Sequence, residues 1–229
     1  MCDLYAQAPA LHARGIHLVS TDEKTGIQAL ERAAPTKPLQ PGVAGQAGKL
    51  ERQEYEYIRH GTQCLIANFE VATGKQIAPS LGETRTEPDF VAHVAQTVKT
   101  APNDQWIFIA DQLNTHQAES LVRWIASQIG YTGELGEKGA SGILKSMSTR
   151  AEFLANPEHR IRFVYTPKHC SWLNQIEMWF SILVRRLLKR ASFKSTDELR
   201  QRILEFIEYF NATLAKPFKW TYKGRPLMV

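Results

Sequence analysis

Cysteine is scarce in this sequence, long apolar runs are missing, and each shortage excludes something. The three cysteines, Cys2, Cys64 and Cys170, are odd in number, widely spaced and free of any CxxC pair. That argues against both a disulfide framework and a thiolate zinc site, and for a reducing compartment. No apolar stretch approaches the ~20 residues needed to span a bilayer. The N-terminus, with Asp3 and Arg14 around a short mixed segment, has no signal-peptide core. No internal repeat or low-complexity tract is present. The expectation is a cytoplasmic protein with no membrane partner.

What is present is enough for one sizeable core: 229 residues, 43% of them hydrophobic. The formal charge of +5 admits a polyanionic partner without requiring one. Ile16 to Ser20 is a short apolar run, and Gly26 to Leu30 reads as a second extended piece, so the pair predicts a hairpin. Prolines 35, 38 and 41 with glycines 42, 45 and 48 then predict a long irregular loop over 35–49. Thr62 to Val71 is rich in strand formers, Thr73-Gly74-Lys75 reads as a turn, and Gln76 to Ser80 as a short returning strand. Apolar residues recur at helical spacing across 87–100. Trp106 to Ala110 is a tight apolar run of buried-strand length that stops at Asp111.

Asn114 to Gln128 predicts a helix. Glycines dilute the pattern between 130 and 157, which predicts an insertion with little structure of its own. Ile161 to Tyr165 is a further strand. Leu173, Ile176, Phe180, Leu183 and Leu187 alternate steps of three and four, predicting an amphipathic helix capped at Ser171. Ser195 followed by Glu198 is a capping box that opens the last helix. This order describes an α/β protein, a mixed sheet covered by helices.

Asp22 and Asp111 each end an apolar strand. Neighbouring strands lie about 4.8 Å apart, so the two carboxylates converge if those strands are adjacent. Glu177 shares a polar stripe with Asn174 and Ser181, and a helix packed across the sheet delivers it to the same place. Converging carboxylates repel one another and raise their own pKa values unless a cation intervenes. Hard ions such as Mg²⁺ prefer such oxygen donors and keep positions open for water and phosphate. Two ions held roughly 3.5–4 Å apart serve phosphoryl transfer. Taken singly, however, an Asp at a strand end is usually a turn or cap residue, and a Glu on a helix is usually just solvated.

The wording around the acids is more specific than their spacing. Thr21-Asp22-Glu23-Lys24-Thr25, Ile109-Ala110-Asp111-Gln112-Leu113-Asn114-Thr115-His116 and the run from Tyr165 to Glu177, with Pro167-Lys168-His169 and Trp172-Leu173-Asn174-Gln175-Ile176 inside it, resemble three signature blocks. They are those of DDE transposases, in the bacterial insertion-sequence branch related to mariner elements. Asn211 and Lys216-Pro217-Phe218-Lys219-Trp220 are also similar to that branch, and the resemblance spans about residues 15 to 225. It implies an RNase H-like fold in which Asp22, Asp111 and Glu177 hold Mg²⁺ or Mn²⁺, two ions, and cut DNA at transposon ends before joining it to target DNA. The domain expectation is an N-terminal remnant or linker over 1–14 and an RNase H-like DDE catalytic domain over 15–229. Double-stranded DNA is the expected partner, with association with the nucleoid when bound, and a homo-oligomer is a further expected partner.

The sequence departs from the pattern at Gln112, where many relatives have Asn, and at Gln175, where Pro is common. The interval from Asp111 to Glu177 is also long, because of the glycine-rich segment. Relatives usually carry helix-turn-helix modules ahead of the first strand, whereas this sequence starts close to that strand. The expectation is one piece of a split or truncated transposase, with a separate helix-turn-helix segment as partner. Two alternatives stay open: a non-catalytic DNA-binding or regulatory fragment, and another RNase H-like nuclease such as a resolvase.

Around the acids, Glu23 is a substitute ligand for Asp22, although adjacent strand residues face opposite ways. His116 and His169 flank the site, either touching phosphate or water or serving as structural histidines. Asn114 and Asn174 either orient a ligand or cap a helix, capping being preferred for Asn114. Lys24, Lys168, Trp172, Arg185, Arg186, Lys189 and Arg190 are candidates for DNA contact. For Trp172 a core position is the commoner outcome, and for the cations after Glu177 so is complementing a helix dipole.

Overall fold

In the computed structural model, which describes residues 1–52 and 56–222, five strands form one mixed sheet in the order β3-β2-β1-β4-β5. The strands are β1 (Ile16–Arg32), β2 (Tyr57–Glu70), β3 (Ser80–Gly82), β4 (Gln105–Ala110) and β5 (Ile161–Tyr165). β1, β2 and β3 run antiparallel, while β4 and β5 lie parallel to β1. Among the described residues six α-helices flank the sheet: α1 (Cys2–His12), α2 (Glu87–Val98), α3 (Glu119–Gln128), α4 (Met147–Leu154), α5 (Ile176–Leu183) and α6 (Thr196–Thr213). This is the mixed α/β sheet flanked by helices that the sequence predicts.

Strand alternation decides which helices share a face. Val19, Trp106, Phe108, Ala110 and Phe163 point toward α2, α3 and α4. On the opposite face, Ala67 and Phe69 meet α5 and α6, and Leu18, Ile107 and Ile109 meet α1. The residues just past these apolar positions inherit the same alternation, and so Asp22 and Glu23 face opposite layers. β4 is buried from Trp106 to Ala110 because helices cover it on both sides.

Several expectations are corrected. The predicted hairpin at 16–30 is instead one long strand: Thr25 and Gly26 face the single residue Cys64, a β-bulge, with Gly26 at φ 62°. The bulge shifts the alternation so that Ile27 and Ala29 are buried on the side that Asp22 faces. The irregular loop at 35–49 is a narrow antiparallel ribbon prolonging the β1–β2 pair, with bridges Lys37 to Arg52, Gln40 to Lys49 and Val43 to Gln46. Gly42 and Gly48 face each other across it so closely that a Cβ on Gly42 would lie 2.9 Å from the Gly48 nitrogen. The short strand is Ser80–Gly82, and Gln76 contributes only an isolated bridge to Phe69.

The N-terminal segment, expected as a remnant or linker over 1–14, carries a helix with Tyr5 and Ala8 buried against the sheet. The 130–157 segment is not loosely structured either. It contains α4, capped by Ser146, whose Oγ accepts from the Thr149 N–H. Leu144, Phe153 and Leu154 enter the core, and Arg150 donates to the carbonyls of Gln117 and Leu144.

The helix expected over 114–128 is broken. Asn114–Gln117 forms a 3₁₀ turn, Ala118 is extended, and α3 follows. The helix expected from Ser171 is likewise a 3₁₀ turn, Ser171–Leu173, then extended Asn174, then α5. α5 runs on as a π-helical turn over Val184–Leu188. At α6 the capping box is split, for the Ser195 Oγ accepts from the Glu198 N–H while the Glu198 carboxylate accepts from the Lys194 N–H. No helix of the described residues is long and apolar enough to cross a membrane.

Candidate active site

β1 and β4 are paired from Ile16–Gln105 to Ser20–Ile109, and the acids lie just beyond the end of that pairing. Asp22 is buried on the α5 side of the sheet and stays in β1, opposite Ala67 of β2. Asp111 follows the last residue of β4, and one carboxylate oxygen accepts from the Leu113 N–H at 2.9 Å. The ordinary turn role of a strand-end Asp is therefore present here. It leaves part of the carboxylate open, since the side chain is 34% exposed.

α5 is fixed to β1 one residue from Asp22. The Asn174 amide donates to the Thr21 carbonyl at 2.8 Å and its oxygen accepts from the Ser20 hydroxyl, while the Ile176 N–H donates to Ser20 Oγ at 3.3 Å. Asn174 thus joins strand to helix and does not reach solvent. Glu177, exposed in the first turn of α5, begins three residues later.

α1 supplies a support that the sequence reading missed. The Tyr5 hydroxyl donates to the Leu173 carbonyl at 2.7 Å and also interacts with Ser20 and with the Gln175 backbone N–H. Burial pushes the Tyr5 hydroxyl up to about 12, against the lowering effect of those contacts. A proline at 175 would remove that N–H.

His116 ties the second acid to Glu23. Fully buried under the Phe90 ring, it places Nδ1 2.8 Å from Asp111 and Nε2 3.1 Å from Glu23, whose side chain is only 1% exposed. Burial alone would depress the imidazole, but the hydrogen bonds to Asp111 and Glu23 outweigh it and hold His116 up to about 10. The bridge is thus an imidazolium between two carboxylates. His116 also helps to hold Asp111 below the ordinary carboxylate range. It is a positioning residue, with both ring nitrogens engaged and neither presented to solvent.

Asp22 shows the opposite shift. Burial pushes it up to about 7, and the charges of Asp111 and Glu23 push the same way against the hydrogen bond from the Glu23 N–H. Among the described residues the one trio with ligand atoms all within 4.8 Å is His12, His17 and Glu70, so the three acids stand farther apart than that. Hard oxygen donors and a buried carboxylate whose charge is penalised fit a divalent cation at Asp22, Asp111 and Glu177.

A cleft of about 940 Å³ opens beside Asp111. Lys168 and His169 line one side, and Met147, Ser148 and Ala151 of α4 line another, so the glycine-rich segment builds a wall of this cleft; of the three acids, Asp111 alone is in its lining. His169 is exposed and has φ 61°, a left-handed conformation that is strained for a non-glycine residue. Asn114 is exposed and is the first residue of the 3₁₀ turn, whose cap position is Leu113, so it does not act as the expected cap. Trp172 is not in the core: it is 54% exposed and meets Tyr222 edge-on at 5.1 Å. Lys24 Nζ lies over the Phe180 ring. Arg185 and Arg186 are exposed and line a groove of about 490 Å³ with Lys216, while Lys189 and Arg190 are exposed farther along.

Residues 31–200 match the model of the DDE superfamily endonuclease family, and the chain belongs to that family. The matched interval includes Asp111 and Glu177, while Asp22 lies ahead of it. Among solved structures, the chain is similar to the one titled "Mos1 transposase paired-end complex with left transposon end", at 13% identity and a TM-score of 0.32. That match covers 92% of this chain and 58% of the other, so the chain spans somewhat over half the length of that relative. No curated protein matches the chain in sequence.

Proposed function

We propose that the chain is the catalytic core of a DNA transposase, cleaving phosphodiester bonds at element ends and transferring the freed strand to target DNA. The observation that carries this reading is the placement of Asp22 and Asp111 at the end of the β1–β4 pairing, with α5 pinned beside them through Asn174. Asp22, Asp111 and Glu177 would hold Mg²⁺ or Mn²⁺. Bound there, such ions supply Lewis acidity and a water acidified enough to attack phosphorus. Asn174 and Ser20 fix the helix that carries Glu177 against the strand that carries Asp22. His116 fixes Asp111, and its second bond keeps Glu23 turned into the opposite layer rather than substituting for Asp22.

Duplex DNA is the proposed substrate. Lys168 in the cleft is placed to meet a phosphate beside Asp111, with Trp172 as an exposed surface for a base and Arg185, Arg186, Lys189 and Arg190 following the backbone away from the site. Lys24, held over Phe180, is a weaker candidate for this role. Cytoplasmic residence and a homo-oligomer at paired element ends belong to the same proposal.

The experiment is a cleavage assay on linear element-end DNA, four-way junctions and RNA–DNA hybrids, with Mg²⁺ or Mn²⁺ and with a chelator. The expected result is metal-dependent nicking of linear duplex that yields 3′-hydroxyl ends. Preference for junctions or hybrids would point to the resolvase-type alternative, and absence of cleavage on all three would support the regulatory fragment.

A further inference from the structure

At the far end of the sheet from the acids, a second cluster of ligating side chains has no part in the proposed chemistry. Five residue steps along β1 lead from His17 to Asp22, roughly 16 Å along an extended strand. His12 ends α1, His17 is the second residue of β1, and Glu70 ends β2. Gly15, at φ 70°, turns the chain between the two histidines so that both reach the same carboxylate. His17 Nδ1 lies 2.6 Å and His12 Nε2 3.4 Å from the same Glu70 oxygen.

We propose that His12 Nε2, His17 Nδ1 and Glu70 Oε1 form a site for a divalent transition metal, Zn²⁺ foremost. Two imidazoles and one carboxylate suit zinc and its neighbours and suit Mg²⁺ poorly. Bond lengths of about 2.0–2.1 Å around a tetrahedral zinc put ligand atoms about 3.3 Å apart. The His12 distance already matches. The His17–Glu70 contact needs to open by roughly 0.7 Å as a hydrogen bond gives way to two metal bonds.

The surroundings are those of ligands held in place. The other nitrogen of His17 meets the Asp104 carboxylate at 3.0 Å, an arrangement that fixes a ligating imidazole's tautomer and raises its basicity. The Thr73 hydroxyl donates to the second oxygen of Glu70 at 2.6 Å, leaving the first free to ligate. His17 is stacked on Trp106 with ring centroids 4.3 Å apart. Glu70 is buried, whereas His12 is 39% exposed, so an ion can enter from that side and water can complete its coordination.

An ion there would join α1 to β1 and β2. Because α1 also carries Tyr5, which holds the Leu173 carbonyl ahead of α5, the metal would stiffen a support of the acid site without touching it. The inference does not depend on the proposed reaction.

The test uses the untagged full chain carrying Asp111→Asn, stripped with chelator, so that the acid site contributes little metal binding. Zn²⁺ is titrated with thermal unfolding as the readout, and Co²⁺ with its visible absorption as a report of coordination geometry. One equivalent per chain is expected, with an unfolding midpoint roughly 5–10 °C higher at a free zinc concentration one hundred times Kd. His12→Ala, which removes the most exposed ligand and disturbs folding least, is expected to weaken Zn²⁺ binding at least tenfold, and Glu70→Gln to do so independently. Saturable Zn²⁺ binding that neither substitution weakens would overturn the site, as would no binding by the parent chain. In the latter case His17 serves only as a hydrogen-bonded bridge between Glu70 and Asp104.

Discussion

Asp22→Asn is expected to make the metal-free protein more stable while abolishing cleavage. Burial and the neighbouring charges of Asp111 and Glu23 raise the Asp22 pKa to about 7 from 3.8. The folded state therefore retains a proton that the unfolded chain has already released. Stability attributable to this group is greatest below the unfolded pKa, falls as pH rises through the window from about 4 to 7, and stays low above it. At 1.36 kcal/mol per pKa unit the full penalty has an upper bound of about 4 kcal/mol. Asn carries no charge and retains an oxygen for the Glu23 N–H, so a gain of about 1–3 kcal/mol at pH 8 is expected, vanishing by about pH 4. Urea unfolding at the two pH values measures it. In the same variant, metal-dependent cleavage is expected to fall at least about 10³-fold, equivalent to roughly 4 kcal/mol of transition-state stabilisation. A variant that loses stability at pH 8, or that cuts DNA normally, contradicts the description of Asp22 as a strained carboxylate awaiting a cation.

The second large effect is expected at His116. Its imidazolium lies between Asp111 and a Glu23 side chain that is 1% exposed. His116→Ala leaves Glu23 as a buried charge with its ion partner gone, and removing one member of a buried pair typically costs about 3–5 kcal/mol. The remedy identifies the cause: adding Glu23→Gln to His116→Ala is expected to recover most of the loss, because an amide is less costly to bury than an unpaired carboxylate. The pH dependence has the sign of a raised base. Stability from the bridge is fully present below about 6.5 and is lost as pH rises through about 10. Equal stability of the single and double variants would mean that Glu23 does not need His116 to remain buried. Cleavage is also expected to fall in His116→Ala, since Asp111 loses one of the two contacts that hold it.

The elements most legible from sequence were those whose pattern is local. β4, β5, α2 and α6 follow directly from short apolar runs or helical spacing between clear caps, and these place Asp111 at a strand end. α1 was hidden because Pro9 lies inside it and its apolar residues make only a weak stripe, so its burial depends on the sheet it meets. α4 was hidden by the glycines before it, which mask the single buried residue Leu144 and the cap at Ser146. The helix break at Asn174 is tertiary in origin, for Asn174 leaves the helical conformation where it bonds to Ser20 and Thr21.

The site divides in the same way. Asp22, Asp111 and Glu177 stand as candidates on the words around them, and strand alternation already argues that Glu23 faces away from Asp22. What turns Glu23 inward is His116, 93 residues distant, and what braces α5 is Tyr5, 168 residues from Leu173. No local pattern carries either pairing. Trp172 was expected more often in a core than on a surface, and it is exposed because the chain turns at the 3₁₀ segment before α5 begins.

The central claim is that three carboxylates from β1, the end of β4 and α5 share divalent metal. Anomalous diffraction from crystals grown with Mn²⁺ tests it most directly. The account predicts manganese bonded to oxygens of Asp22, Asp111 and Glu177, with Glu23 still on His116; manganese bound elsewhere at full occupancy, with those three carboxylates unliganded, would contradict it.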